Sequence, residues 1–131
     1  MNNAGIGATW PFVETQLPDW NRIIDVNLTG QFIVSREVAK SMIKRKMGRI
    51  VMLASQAAMI ALQGHAAYAA SKSGLLGLIR VMALELAPYN ITVNAVSPTI
   101  VATQMAVIRE AQLIVLASSG FWTTFAPGRS M

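Results

Sequence analysis

Tyr68 and Lys72 stand four residues apart in Tyr68-Ala69-Ala70-Ser71-Lys72, with Ser55 thirteen positions upstream and Asn27 twenty-eight before that. A phenol beside a cation, a hydroxyl and an amide is a set that can move a proton on and off a carbonyl oxygen at neutral pH. Residues i and i+4 share one face of a helix, so Tyr68 and Lys72 point the same way if their segment is helical. A free phenol of this kind ionises near about pH 10, and a cation within a few ångströms favours its ionised form. Taken singly, each residue has an ordinary reading. Tyr-x-x-x-Lys is most often a half-buried tyrosine beside a surface lysine, a serine after an apolar run is a cap or turn residue, and a helical asparagine contacts solvent. The combination and its spacing carry the argument.

The elements that must position these residues are legible from periodicity. Met1 to Gly7 is rich in glycine and asparagine and reads as a tight turn. Pro18 suits a first helical turn and Asp19 the positive helix end. From Ile23 to Ile43 apolar residues recur at helical spacing, which predicts a helix over about residues 18–47 ended by Gly48. Asn27 then lies mid-helix, where asparagine is a poor choice without a polar task. Ile50 to Ala54 reads as a buried strand, which sets Ser55 at its carboxyl end. A second long helix is expected from about His65 to Ala87, stopped by Pro88, followed by a strand over Ile91 to Val96 and a break at Pro98. Strand, helix, strand is a βαβ unit with parallel strands. Met105 to Ser118 is compatible with a helix, while 120–131 has no clear pattern.

Composition narrows the function classes. The 131 residues suit one domain. There is no cysteine and one histidine, which removes disulfides and thiol chemistry and argues against a metal site. The net charge of +5 is largely local, with Lys44, Arg45, Lys46 and Arg49 at a helix end and no interleaved aromatics, so nucleic acid is not the expected partner. Residues 50–71 carry no charge, but Gln56, Gln63, Gly64 and His65 interrupt the run, so no membrane span is expected. No basic-then-apolar signal pattern opens the chain, and a cytoplasmic location is expected.

Over about residues 1–105 the chain resembles the short-chain dehydrogenase/reductases. Asn2-Asn3-Ala4-Gly5 is similar to the motif after the family's fourth strand, which shapes the adenine-ring pocket. Asn27 in Asp25-Val26-Asn27-Leu28-Thr29-Gly30 matches the family's catalytic asparagine, and Ser55, Tyr68 and Lys72 match its catalytic serine, tyrosine and lysine. Asn94 to Pro98 is similar to the segment leading to the nicotinamide loop, in which Val101 and Thr103 match nicotinamide-contacting positions. The resemblance implies an α/β fold, a Rossmann-like doubly wound parallel sheet, with NAD or NADP as cofactor and hydride transfer to or from a small substrate. Tyr68 would pass the proton, Lys72 would also bind the nicotinamide ribose, and Asn27 would hold a relay water. Asn3, Ala4, Gly5 and Pro98 fall among the implied cofactor contacts. Pro98-Thr99 departs from the family's usual Pro-Gly. With Leu53 to Ala57 and Ser97 to Val101 it is most similar to the polyol dehydrogenase and xylulose reductase branch. A sugar alcohol or its ketose is then the first substrate expectation and a 3-oxoacyl thioester the second. Ser55, Gln56, His65 and Tyr68 are the expected substrate contacts, although a loop position without a specific role is the plainer reading of His65.

The family's glycine-rich pyrophosphate cradle lies upstream of the motif found here at residue 2, so the sequence is expected to form a partial domain lacking that half. Gly5-Ile6-Gly7 is no substitute. Residues 106–131 are expected to be a divergent or truncated tail. In the family the helices corresponding to about 18–47 and 66–87 build a dimer interface, so a homo-oligomer is implied, and a non-catalytic segment that dimerises with a full-length relative is the alternative role.

Overall fold

Pro18 sits in the first turn of α1 (Leu17–Ile24) and Asp19 at its positive end, as the sequence predicts. The computed structural model describes residue 1, residues 3–99 and, for backbone alone, residues 121–123. α1 runs without a break into a π-helical turn over Asp25–Thr29 and then into α2 (Gly30–Arg45). In the π turn each hydrogen bond closes over one more residue than in an α-helix. It closes at Gly30, where even a Cβ would approach the Asp25 carbonyl at 3.3 Å.

α2 ends differently from the expectation. The left-handed residue is Lys46, at φ 49°, whose N–H bonds the Ile43 and Met42 carbonyls. Gly48 instead opens strand β1 (Gly48–Leu53). Its lack of a side chain serves packing, because a Cβ there would collide with the Met42 side chain. The collision involves Met42 Cβ and Cγ as well as sulfur, so rotation of the side-chain tip cannot relieve it. Gly48→Ala should therefore lower stability by about 1–3 kcal/mol, the usual cost of overpacking. Thermal melts of the two proteins check this.

β1 pairs in parallel with β2 (Ile91–Ser97), from Gly48 opposite Ile91 to Leu53 opposite Val96. α3 (Ala66–Leu86) makes the crossover between them. Asn90, at φ 58°, turns the chain from the 3-10 turn Ala87–Tyr89 into β2. Asparagine tolerates that left-handed geometry better than most residues. Side chains alternate along both strands. Ile50, Met52 and Ala54 with Ile91, Val93 and Ala95 form one core with Leu75, Leu76, Ile79, Ala83 and Leu86 of α3 and Ala39 of α2. The opposite strand positions, such as Val51, Leu53 and Val96, are half-buried, so β1 is covered on one face rather than buried throughout. Each fully buried leucine or isoleucine contributes about 1.5–3 kcal/mol through the hydrophobic effect.

A third strand, β3 (Phe121–Thr123), lies antiparallel to β2, with Ser97 opposite Phe121. The sequence pattern over 120–131 predicts no element there. Residues 3–11 carry no regular structure and no positive φ, so the amino-terminal glycines form no tight turn. Among the described residues no helix is long and apolar enough to cross a membrane, and no group of three metal-ligating side chains occurs.

Candidate active site

α3 presents Tyr68 and Lys72 one turn apart at the carboxyl end of β1. Lys72 is 4% exposed. Its ammonium reaches from α3 to the end of β1, donating to the Leu53 carbonyl at 2.8 Å, and stands 5.7 Å from the centre of the Tyr68 ring. That places a cation beside the phenol, at a distance where the ring face itself attracts it. Burial pushes the Lys72 ammonium below the ordinary lysine range.

The shift has a consequence for stability. The unfolded chain keeps the lysine proton up to its ordinary pKa of 10.5, whereas the folded chain releases it earlier. Between those two values the unfolded state binds more protons, so stability rises with pH through that window. Below it, the full cost of burying the charge is present. Relative to Lys72→Met, the wild-type melting temperature should climb as pH rises from the lowered folded pKa toward 10.5. A pH-independent difference between the two melting curves would contradict this.

Asn27, on the π turn, is fully buried. Its amide pairs with one residue of the amino-terminal segment from both sides: Ile6 N–H donates to Oδ1 at 2.8 Å, and Nδ2 donates to the Ile6 carbonyl at 2.8 Å. The second Nδ2 hydrogen goes to Ser71 Oγ at 3.2 Å, and Ser71 Oγ donates to the Tyr68 carbonyl at 2.7 Å. One connected set of bonds thus ties the amino-terminal segment, the π turn and the Tyr68 turn of α3. One turn beyond Asn27, Gln31 Nε2 donates to the Ala4 carbonyl at 2.7 Å. Gly5 lies between these anchors. A Cβ on it would stand 3.5 Å from Asn27 Oδ1 and 3.6 Å from Lys72 Nζ. Asn3 is exposed, and Asn2 lies outside the described residues.

Ser55 caps the 3-10 turn Gln56–Ala58, its Oγ accepting from Ala57 N–H at 3.2 Å. That leaves its O–H to donate elsewhere. No hydrogen bond joins Ser55 to Tyr68 among the described residues. Gln56 N–H donates to the Pro98 carbonyl at 3.2 Å, which brings the end of β2 to the same edge of the sheet. His65 precedes α3 and meets Tyr68 edge to face, with ring centres 6.1 Å apart, while its Nδ1 lies 2.8 Å from the Gln63 carbonyl. Gly64, at φ +76°, holds that loop against residues 9 and 10 through the bond from Trp10 N–H to its carbonyl. Val101 and Thr103 lie outside the described residues.

The structure therefore brings together Asn27, Tyr68 and Lys72 with Gly5, and places Ser55, Gln56, Pro98 and His65 around the same sheet end. Sequence reading missed Gln31 and Ser71. Both are polar residues on buried helix faces, and Gln31 is one turn from Asn27.

The donor set fits the sugar end of a dinucleotide. Lys72 has three hydrogens and one bond among the described residues, and Gly5 leaves the approach to it free of a side chain. Gly5 and Gly7 lead into irregular chain rather than a helix amino terminus, so they form no pyrophosphate cradle.

A family model described as short chain dehydrogenase matches residues 1–113. A 3-oxoacyl-[acyl-carrier-protein] reductase of Synechocystis sp. is 44% identical over 105 residues, which cover 80% of this chain and 42% of that protein. An NAD-dependent glycerol dehydrogenase of Listeria innocua is 39% identical over 104 residues, covering 79% and 41%. A crystal structure of a gluconate 5-dehydrogenase from Burkholderia cenocepacia, in complex with NADP and tartrate, superposes with a TM-score of 0.79 at 31% identity, over 85% of this chain and 46% of that one. The chain spans under half the length of these relatives.

Proposed function

Because the chain belongs to the short chain dehydrogenase family, we propose that it supplies the proton-transfer part of an NAD(P)-dependent oxidoreductase that interconverts a hydroxyl and a carbonyl on a small substrate. A sugar alcohol and its ketose come first and a 3-oxoacyl thioester second. The observation that carries the reading is the buried Lys72 ammonium, held by the Leu53 carbonyl beside the Tyr68 ring and faced by a glycine.

When bound, the dinucleotide supplies or accepts the hydride. Tyr68 Oη passes the proton to or from the substrate oxygen, favoured by the adjacent cation. Ser55 donates its free O–H to the same oxygen. Lys72, with two hydrogens left, holds the ribose hydroxyls, and Gly5 and Pro98 border that place. Val101 and Thr103 remain proposed contacts for the nicotinamide end. Both side-chain donors of Asn27 are engaged, so a relay water there is held through an oxygen. Gln56 and His65 flank the substrate. Relatives with both substrate types support the two candidates.

Titration with NADH and NADPH, followed by fluorescence, tests the reading. Saturable binding of one of them, and turnover of polyols in preference to a 3-oxoacyl thioester, would support it. A folded sample that binds neither would refute these 131 residues as an enzyme by themselves.

A second reading rests on the helices. The core-facing stripe of α2 is Gln31, Ser35 and Ala39, while Phe32, Ile33, Val34 and Val38 face outward, with Val81 and Leu84 exposed on α3. Large apolar groups outside and small or polar ones inside suit association with a second copy of the chain or with a longer relative.

A further inference from the structure

We propose that Gln31 is a positioning residue, which fixes the Ala4–Ile6 segment so that Gly5 faces the Lys72 ammonium. Gln31 and Asn27 are four residues apart on the unbroken run of π turn and α2, a rise of roughly 5–6 Å. Ala4 and Ile6 are two apart, about 6.6 Å in an extended chain. The match lets two side-chain amides bond two carbonyls on one side of the segment, Ala4 by Gln31 at 2.7 Å and Ile6 by Asn27 at 2.8 Å. The helix edge takes the part of a neighbouring strand.

Asn27 alone anchors Ile6 and leaves the Ala4–Gly5 peptide free to turn. Glycine has the widest choice of backbone angles, so its place is set by what holds its two neighbours. Gln31 provides the second anchor. It is 2% exposed and sits in the core-facing stripe of α2, where a leucine or methionine would serve packing equally well. The polar choice is explained by the Ala4 carbonyl. With the clamp closed, Gly5 keeps its distance from Lys72 Nζ and the approach to the ammonium stays open. The consequence for the dinucleotide rests on the function proposed above; the clamp itself does not.

The test has three readouts. In the wild-type chain, the Gln31 side-chain amide protons should exchange with solvent at least about tenfold more slowly than those of exposed Gln63, measured by NMR. Gln31→Met keeps the side-chain length and removes the donor, with Gln31→Leu as the second variant. In the folded variant the Ile6 amide should exchange about tenfold faster. KM for the dinucleotide should rise about five- to tenfold with kcat changed less than about twofold. A fall in kcat at constant KM would mean that Gln31 only supports folding, and would overturn the proposal. If the wild type binds no dinucleotide, the functional reading fails separately. Ile6 exchange then decides the clamp: acceleration supports it and no change overturns it. If neither variant folds, rapid exchange of the wild-type Gln31 protons overturns it and slow exchange supports it.

Discussion

Tyr68→Phe should lower turnover by about 10²–10⁴-fold, the range expected when a positioned acid or base is removed. The substitution deletes one oxygen and keeps the ring. The edge-to-face contact with His65 and the ring's attraction for Lys72 survive, so packing changes little. Dinucleotide affinity should stay within about twofold, because Lys72 and its bond to the Leu53 carbonyl are untouched. The loss should thus appear in kcat. Steady-state kinetics with a separate binding titration distinguish the outcomes. Full turnover in the phenylalanine variant would remove Tyr68 from the proton path. Loss of binding along with turnover would mean that the hydroxyl holds ligand rather than moves a proton.

Asn27→Ala should cost about 2–4 kcal/mol of stability, because the half-buried Ile6 N–H and carbonyl lose their partner at once and buried Ser71 Oγ loses one of two. Ile6 N–H, the Ile6 carbonyl and Ser71 Oγ all bond the one amide, which is fully buried. Each buried group left unpaired costs about 1–3 kcal/mol. A melting-temperature drop of about 10 °C or more follows for a domain of this size. Asn27→Asp is the informative control. A carboxylate keeps an acceptor for Ile6 N–H but has no hydrogen for the Ile6 carbonyl, and the Ser71 hydrogen is already on the Tyr68 carbonyl. It should be as unstable as the alanine variant or worse. A loss below about 1 kcal/mol in Asn27→Ala would show that water replaces the amide and that the network is not a structural tie.

Signals that were present in the sequence differed in how far they could be read. Gly48 marked the end of α2 to within three residues, yet for the wrong reason. The left-handed position fell on Lys46, and the glycine answers to Met42 across the packed turn. The serine after the apolar run was expected to be either a cap or a ligand for substrate. It is a cap by its Oγ, and its O–H leaves the other role open. Asn27 was singled out because asparagine suits a helix poorly. That it sits in a π turn, with its amide standing in for a strand, depends on a segment 21 residues away. Gln31 drew no notice, since a glutamine is an unremarked helix former until the face it occupies is known to be buried.

By itself the sequence determined the βαβ order, the one-turn spacing of Tyr68 and Lys72, and the chemistry those residue types allow. Such features follow from steric and hydrogen-bonding preferences acting over a few residues, and the chain carries them wherever it goes. Tertiary structure alone decided that Lys72 bonds Leu53 across 19 residues, that Gln31 bonds Ala4 across 27, and that β3 joins the sheet antiparallel to β2. These contacts form only when helix, strand and amino-terminal segment are packed together. Burial then forces each polar group to find a partner, and which partner lies within reach is fixed by the packing and not by any local pattern.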